Sequence, residues 1–381
     1  MRVALYYPWV YLTSGAERTI LELTGRSRHR WTIFTNHYSP GTTFPGFRDR
    51  DVVELDRVSV ARNVASVGKV CWKLMRQRLP LEDFDALLIV GEGVGDFVAL
   101  RSSVPVAGLC LTPLRVAFDP VYQARAKENR GAVARFALAA GVSAFRAVDR
   151  FAWRRYRHML TISREAMSRA DAGGLAPSGP HELLHPGIGI EHHGEPCEFQ
   201  PFFLIAGRIM WTKNIELGIR AFQIFASAHP AFRLVIAGIV DAKSEGYLSQ
   251  LRELADGDPR IEFRIFPTDA DLRELYRTCY GLLFTPFNED WGIVPIEAMT
   301  FGKPVIAVDA GGPKEIVVHG ESGFLAAPEP EAFAAHMTAL AGGAGLARGI
   351  GTAARERSRL YSWDRFTARV DDVVESVARG V

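Results

Sequence analysis

Short unbroken apolar runs alternate along this chain with longer stretches whose apolar residues recur every three to four positions. In the first half the runs are RVALYY, WTIFTN, DVVEL, ALLIV, VAGLCL and HMLTIS; in the second they are FFLIAGR, FRLVIAG, IEFRIF, YGLLFTP, KPVIAVD and GFLAA. Unbroken runs set between helical stretches predict strands covered on both faces, the pattern of a parallel sheet. Between the two series lies HPGIGIEHHGEPCEFQP, rich in Gly, Pro and His and without a period, which predicts a linker. The predicted fold class is therefore α/β, with two Rossmann-like, doubly wound parallel-sheet domains in tandem, residues 1–185 and 200–361. The stretch SWDRFTARVDDVVESVARGV, residues 362–381, predicts an amphipathic helix with Ser362 as N-cap. That helix closes the second domain or crosses back to the first.

The bulk numbers fit this picture. At 381 residues the chain exceeds what one core usually holds. A hydrophobic content of 48% and a charged content of 23% describe a soluble globular protein, and a net charge of +2 gives no global case for nucleic acid. Cys71, Cys110, Cys197 and Cys279 are scattered without a CxxC and read as reduced thiols. The opening MRVALYYPWVYL lacks the apolar core and cleavage site of a signal peptide, so a cytoplasmic location is expected. The most apolar stretch, FALAAGVSAF, is too short to span a bilayer and is flanked by Arg135 and Arg146.

Ligands of open parallel sheets bind beyond the carboxyl ends of strands, so the residues just after each run matter most. After FFLIAG comes GRIMWTKN, with Arg208, Lys213 and Asn214. Arg binds a diphosphate bidentately and Lys as a point charge; two solvated loop cations are the alternative. After YGLLFTP comes FNEDWGIVPIEAMTFG, a loop and then a helix predicted to begin near Gly292, with Pro295 in its first turn. A helix start at a strand end suits an anion. Glu289 precedes that start and Glu297 follows it, so two carboxylates flank the position and can accept hydrogen bonds from sugar and ribose hydroxyls. A capping acid plus a salt-bridged glutamate fits the spacing equally well. Near the N-terminus, Gly15 in YYPWVYLTSGAERTILEL can bring backbone N–H groups against a phosphate.

GR-x4-KN, the E-x7-E pair of Glu289 and Glu297, EAMTFGKPVIAVDAGGPKEIV and GESGFLAAP together resemble the retaining glycosyltransferases of family 4, and LTPLRVAFDPVY resembles a segment of their mannosyltransferase-like branch. The resemblance covers nearly the whole chain and is strongest from Phe203 to Pro328. It implies the GT-B fold, in which two Rossmann-like domains face a cleft, the second holds the nucleotide and the C-terminal helix crosses back to the first. It places Arg208 and Lys213 on the diphosphate, Glu289 on the donor sugar and Glu297 on the ribose. The backbone N–H groups of Trp291, Gly292, Ile293 and Val294 would hold the sugar and distal phosphate. Ile239, Ile265, Phe266 and Pro267 would line the base pocket, and Gly15 would lie by the phosphates. Leu111, Thr112 and Arg115 are the acceptor-side candidates. Leu111 departs from the family, which usually has His there.

The activity so implied is retaining transfer from a nucleotide-diphosphate sugar, GDP-mannose-like or a UDP sugar, to a glycan, lipid-linked or natural-product acceptor. No cofactor or metal is expected, because cations and a helix start stabilise the leaving diphosphate. The D-x-D triplets Asp49–Asp51, Asp256–Asp258 and Asp269–Asp271 read as turn or capping acids, and His181, His185, His192 and His193 as solvated loop histidines. GEGVGD lacks GxGxxG spacing and either shapes the acceptor site or turns the chain. Arg115 to Arg169 holds twelve Lys/Arg against four Asp/Glu, and FRAVDRFAWRRYRH interleaves aromatics with arginines. Such a surface suits an anionic membrane or a lipid diphosphate; a core-facing helix with solvated arginines is the alternative. No nucleic-acid partner is expected. Two rival functions are a GT-B synthase or phosphorylase on soluble sugars and a non-catalytic nucleotide-sugar binder.

Overall fold

The computed structural model describes the whole chain except residues 60–63, 129, 193, 195, 196 and 381. The chain divides into two compact units, Met1–Gly187 with Ser362–Val381, and Ile188–Tyr361. Each contains one parallel sheet. The first sheet comprises β1 (Arg2–Tyr6), β2 (Arg30–Thr35), β3 (Asp51–Glu54), β4 (Ala86–Gly91), β5 (Val106–Cys110), β6 (Tyr156–Thr161) and β7 (His181–Leu183), in the order β3-β2-β1-β4-β5-β6-β7. The second comprises β8 (Phe202–Ala206), β9 (Arg233–Gly238), β10 (Ile261–Ile265), β11 (Gly281–Phe284), β12 (Val305–Val308) and β13 (Gly323–Ala326), in the order β10-β9-β8-β11-β12-β13. The two doubly wound parallel sheets expected from the sequence are thus both present.

All twelve apolar runs are strands; central ones such as β4, β5, β11 and β12 are buried throughout, whereas the edge strands β3 and β10 are only partly covered. In the second unit, Phe203 and Ile205 of β8 pack with Phe222 and Phe225 of the helix Ile215–Ala226 on one side of the sheet. The strand missed is β7, three half-buried residues at the sheet edge with no apolar run to mark it. In both sheets the order reverses beside the first strand: β1 lies between β2 and β4, and β8 between β9 and β11. These are the switch points at which ligands of this topology bind.

One expectation needs correction and two are refined. Residues 185–201 are not a free linker: Ile188 and Ile190 are buried in the second unit. The helix Trp363–Arg379 begins after Ser362, but that serine makes no side-chain cap hydrogen bond. GEGVGD turns the chain into the core: its last residue, Asp96, is buried, taking hydrogen bonds from Tyr156 Oη at 2.5 Å and Trp153 Nε1 at 3.2 Å.

The helix Trp363–Arg379 packs on the helix Gly15–Arg26 and on strands β4, β5 and β6. Phe366, Val370, Val373, Val374 and Val377 form its buried stripe. Its polar edge is tied by Arg26 to Asp364 and Arg28 to Asp372, each at 2.7 Å, and by Arg369 to Glu182 through two hydrogen bonds of 2.9 and 3.0 Å.

Candidate functional site

The loops after β8 and β11, which flank the second switch point, are stitched together. Phe287 N donates to Thr212 O at 2.9 Å, and Thr285 Oγ1 donates to Lys213 O at 2.8 Å. This places Lys213 Nζ 2.7 Å from Glu289 Oε2, with both side chains about a quarter exposed. The predicted diphosphate lysine and sugar-contacting glutamate therefore meet as an ion pair. Arg208 follows Gly207 at the same edge and is exposed.

The turn carrying Glu289 needs special backbone at several points. Asn288 has φ +45° and Gly292 φ +105°; a Cβ at 292 would press on the Phe284 ring. Two glycines after β12, Gly311 and Gly312, let a second backbone approach the turn. Gly312 N donates to Glu289 O at 2.7 Å, and a Cβ on either glycine would strike the turn's own carbonyls. Gly292 then caps the helix Ile293–Thr300, whose first N–H groups open at this edge. Trp291 is buried, with its ring edge-on to Tyr361 at 5.2 Å between centroids.

Glu297 lies within that helix and is 8% exposed. Its Oε2 accepts a hydrogen bond from Tyr276 Oη at 2.8 Å, and its Oε1 faces Gly189, where only a hydrogen fits. Tyr276 is buried at the end of the helix Asp269–Thr278, which a Thr268–Asp271 capping box starts. Burial, and then the neighbouring Glu297, push its hydroxyl well above the ordinary tyrosine range. Tyr276 stacks on Phe301, and Phe301 on His192.

The predicted base-lining residues follow β9 and β10. Ile209 N donates to Ile239 O at 2.8 Å, and Phe266 N to Gly238 O at 2.9 Å, so the loops after β8, β9 and β10 form a continuous ledge. Phe266 is exposed with φ +57°, between half-buried Ile265 and Pro267. In strand order the ledge runs Ile265–Pro267, Ile239, Arg208 with Lys213, then Glu289 to Val294. Three strand spacings of ~4.8 Å make about 14 Å, the scale of a base, ribose, diphosphate and sugar laid end to end.

Gly15 belongs to the first unit and so is not among the residues this sheet gathers. It begins the helix Gly15–Arg26, whose first turn already holds the buried carboxylate of Glu17, taking hydrogen bonds from Leu12 N and Ser14 Oγ. The acceptor-side candidates form their own network in that unit. Arg115 is largely buried and bonds Asp119 Oδ2 through Nε and Nη2 at 3.1 and 2.9 Å. Arg169 reaches both Asp119 and Thr112 Oγ1, the latter at 2.9 Å. Leu111 is buried.

The three described histidines of the supposed loop cluster are engaged rather than solvated. His181 pairs with Thr161 Oγ1 at 2.7 Å, His185 with Ile162 O at 3.0 Å, and His192 stacks as above; His193 lies outside the described residues. Among the described residues no group of three His, Cys, Asp or Glu is placed to hold a metal ion. Four contributors were not singled out from the sequence: Gly189, Gly311, Gly312 and Tyr276. The DAGG motif marks two of them, but nothing marks Gly189 or Tyr276.

Comparison with known proteins finds likenesses in sequence, in the second unit above all, and in fold. Residues 194–357 match the family model described as glycosyl transferases group 1. An alpha-1,3/1,6-mannosyltransferase ALG2 of Dictyostelium discoideum is 35% identical over 148 residues, 35% of each chain. A D-inositol 3-phosphate glycosyltransferase of Streptomyces bingchenggensis is 28% identical over 220 residues, covering 52% of this chain and 48% of that one. The match thus spans less than half the length of either relative. Among solved structures, Anabaena HepE in complex with UDP and glucose superposes with a TM-score of 0.72 at 16% identity, covering 99% of this chain and 100% of that one, which is a likeness of fold.

Proposed function

We propose, from the match of residues 194–357 to the glycosyl transferases group 1 model in a chain of GT-B fold, that this protein transfers a sugar from a nucleotide-diphosphate donor. The observation that carries the reading is the ledge at the carboxyl edge of the second sheet. It sets the Lys213–Glu289 pair at the switch point and a buried, pre-bonded Glu297 in the adjoining helix. The diphosphate sits against Arg208, Lys213 and the N–H groups of Gly292 to Val294. Glu297 takes the ribose hydroxyls and Glu289 those of the sugar. The mannosyltransferase relative and the UDP-bound structural neighbour support a hexose on GDP or UDP. A lipid-linked glycan or a small polyol is the acceptor class.

Transfer proceeds with retention. The bond from the anomeric carbon to the leaving phosphate oxygen breaks, the acceptor oxygen bonds to the same face of that carbon, and the acceptor proton passes to the departing phosphate. Negative charge grows on the diphosphate, where Arg208, Lys213 and the helix start oppose it; no metal step is required. Glu289 orients the sugar. A second reading, a binder without turnover, is favoured by one feature: buried Leu111 stands where the family carries histidine.

A thermal-shift screen with UDP, GDP, ADP and TDP, with and without Mg²⁺, tests the site. One diphosphate is expected to raise the melting temperature of the wild type without metal, and that of Glu297→Ala much less. An equal shift in both proteins refutes the role of Glu297. Release of free sugar or nucleotide from the matching donor, in EDTA, separates a transferase from a silent binder.

A further inference from the structure

The helix Ala132–Trp153 in the first unit is apolar on two opposite faces. Leu138, Val142, Phe145 and Ala152 recur at helical spacing and pack inward, with Phe145 against Phe97 and Phe118 at 5.2 and 6.4 Å. A second stripe at the same spacing, Val133, Phe136, Ala140, Ala144, Ala147 and Phe151, is exposed throughout. Val133 is 85% exposed, Phe136 78% and Phe151 59%. The stripe covers eighteen residue steps, about 27 Å of helix. Soluble surfaces rarely leave so long an apolar strip uncovered.

Its surroundings are cationic. From Arg130 to Arg157 there are seven arginines and one acid, Asp149, and that acid is buried. The helix Val64–Arg76 packs beside it and adds Trp72, 61% exposed under the Arg76 guanidinium. The stretch from Val64 to Leu81 adds Lys69, Lys73, Arg76 and Arg78 and contains no acid. In a chain of net charge +2 this is a strong local excess.

We propose that this face docks on an anionic lipid membrane, with Phe136 and Phe151 inserted among the headgroups and the arginines paired with lipid phosphates. The charge selects this occupant. A second copy of the chain would oppose arginine to arginine around the same stripe, whereas an anionic bilayer offers both an apolar phase and counter-charge. No described helix is long and apolar enough to cross a membrane, so the contact is interfacial. The proposal is independent of the nucleotide site.

Co-sedimentation of the full chain with vesicles of phosphatidylglycerol and phosphatidylcholine, or of phosphatidylcholine alone, tests it. The wild type is expected to sediment with the anionic vesicles and at least tenfold less with the neutral ones. Phe136→Ser combined with Phe151→Ser should weaken anionic-vesicle binding at least tenfold, with melting temperature and nucleotide response unchanged. Leu at both positions should retain most of the binding. Failure of the wild type to sediment, or equal binding by wild type and the Ser variant, overturns the proposal. So does a wild-type dimer in sedimentation velocity that the Ser variant dissolves, since the stripe would then be a self-association face.

Discussion

Tyr276 and Glu297 form the most informative pair in the structure. A buried carboxylate with no donor would be costly, and the tyrosine hydroxyl supplies one while leaving the helix edge open. The hydrogen bond also fixes which way the carboxylate points before any ligand arrives. Tyr276→Phe is expected to lower stability by about 1–3 kcal/mol in a denaturant titration, because the hydrogen bond it deletes has a charged acceptor. It should also weaken nucleoside diphosphate binding roughly fivefold to tenfold, measured by calorimetry below the unfolding transition. A merely structural tyrosine would change the first and leave the second untouched. Binding of a 2′,3′-dideoxy nucleotide, which offers Glu297 no hydroxyl, should be nearly the same in both proteins.

Among the elements, the helix Ala132–Trp153 is held by an unusual contact. Asp149 projects from its inner face into the core; no described donor reaches either of its oxygens, and its carboxyl abuts that of Asp96. Burial pushes Asp96 up to about 6, and burial together with Asp96 pushes Asp149 well above the ordinary range. Tyr156, Trp153 and Cys71 complete the surroundings. Both carboxyls hold protons in the folded state that the unfolded chain would release near the ordinary value of 3.8. Their contribution to stability is therefore full below that value and declines as pH rises through 6 and beyond. Asp149→Asn is expected to flatten this decline and to raise the melting temperature at pH 8, measured by calorimetry across pH 5 to 8. The same element shows why some of the structure was legible in the sequence and some was not. The central strands β4, β5, β8, β11 and β12 announce themselves because two-sided burial leaves no polar side chain in them. Arg208, Lys213, Glu289 and Glu297 stand out because charges seldom follow or enter apolar runs without a reason. A helix apolar on two faces has no polar contrast to read, so the sequence left open whether its apolar residues face an anionic surface or the core. Gly189 sits in an aperiodic segment and meets Glu297 more than a hundred residues later, a pairing that no local pattern encodes.

Across the whole molecule, the second unit is one continuous segment, whereas the first is assembled from two. Residues 188–361 expressed alone are expected to melt cooperatively and to give the same nucleotide shift as the full chain, because the second sheet and its ledge lie wholly within them. A chain ending at Tyr361 should instead melt at a lower temperature in its first unit, since the buried stripe from Phe366 to Val377 would be missing from β4, β5 and β6. The first unit's residues on either side of the inserted segment meet: Gly187 lies against Trp363 so closely that no side chain fits at 187. A first unit made of two segments implies an order on the ribosome. The second unit can emerge and fold while the first, begun earlier, still waits for its last helix. The opening half of the protein is thus the last part to be finished, and until then its strands offer a nascent-chain chaperone an apolar surface to shield.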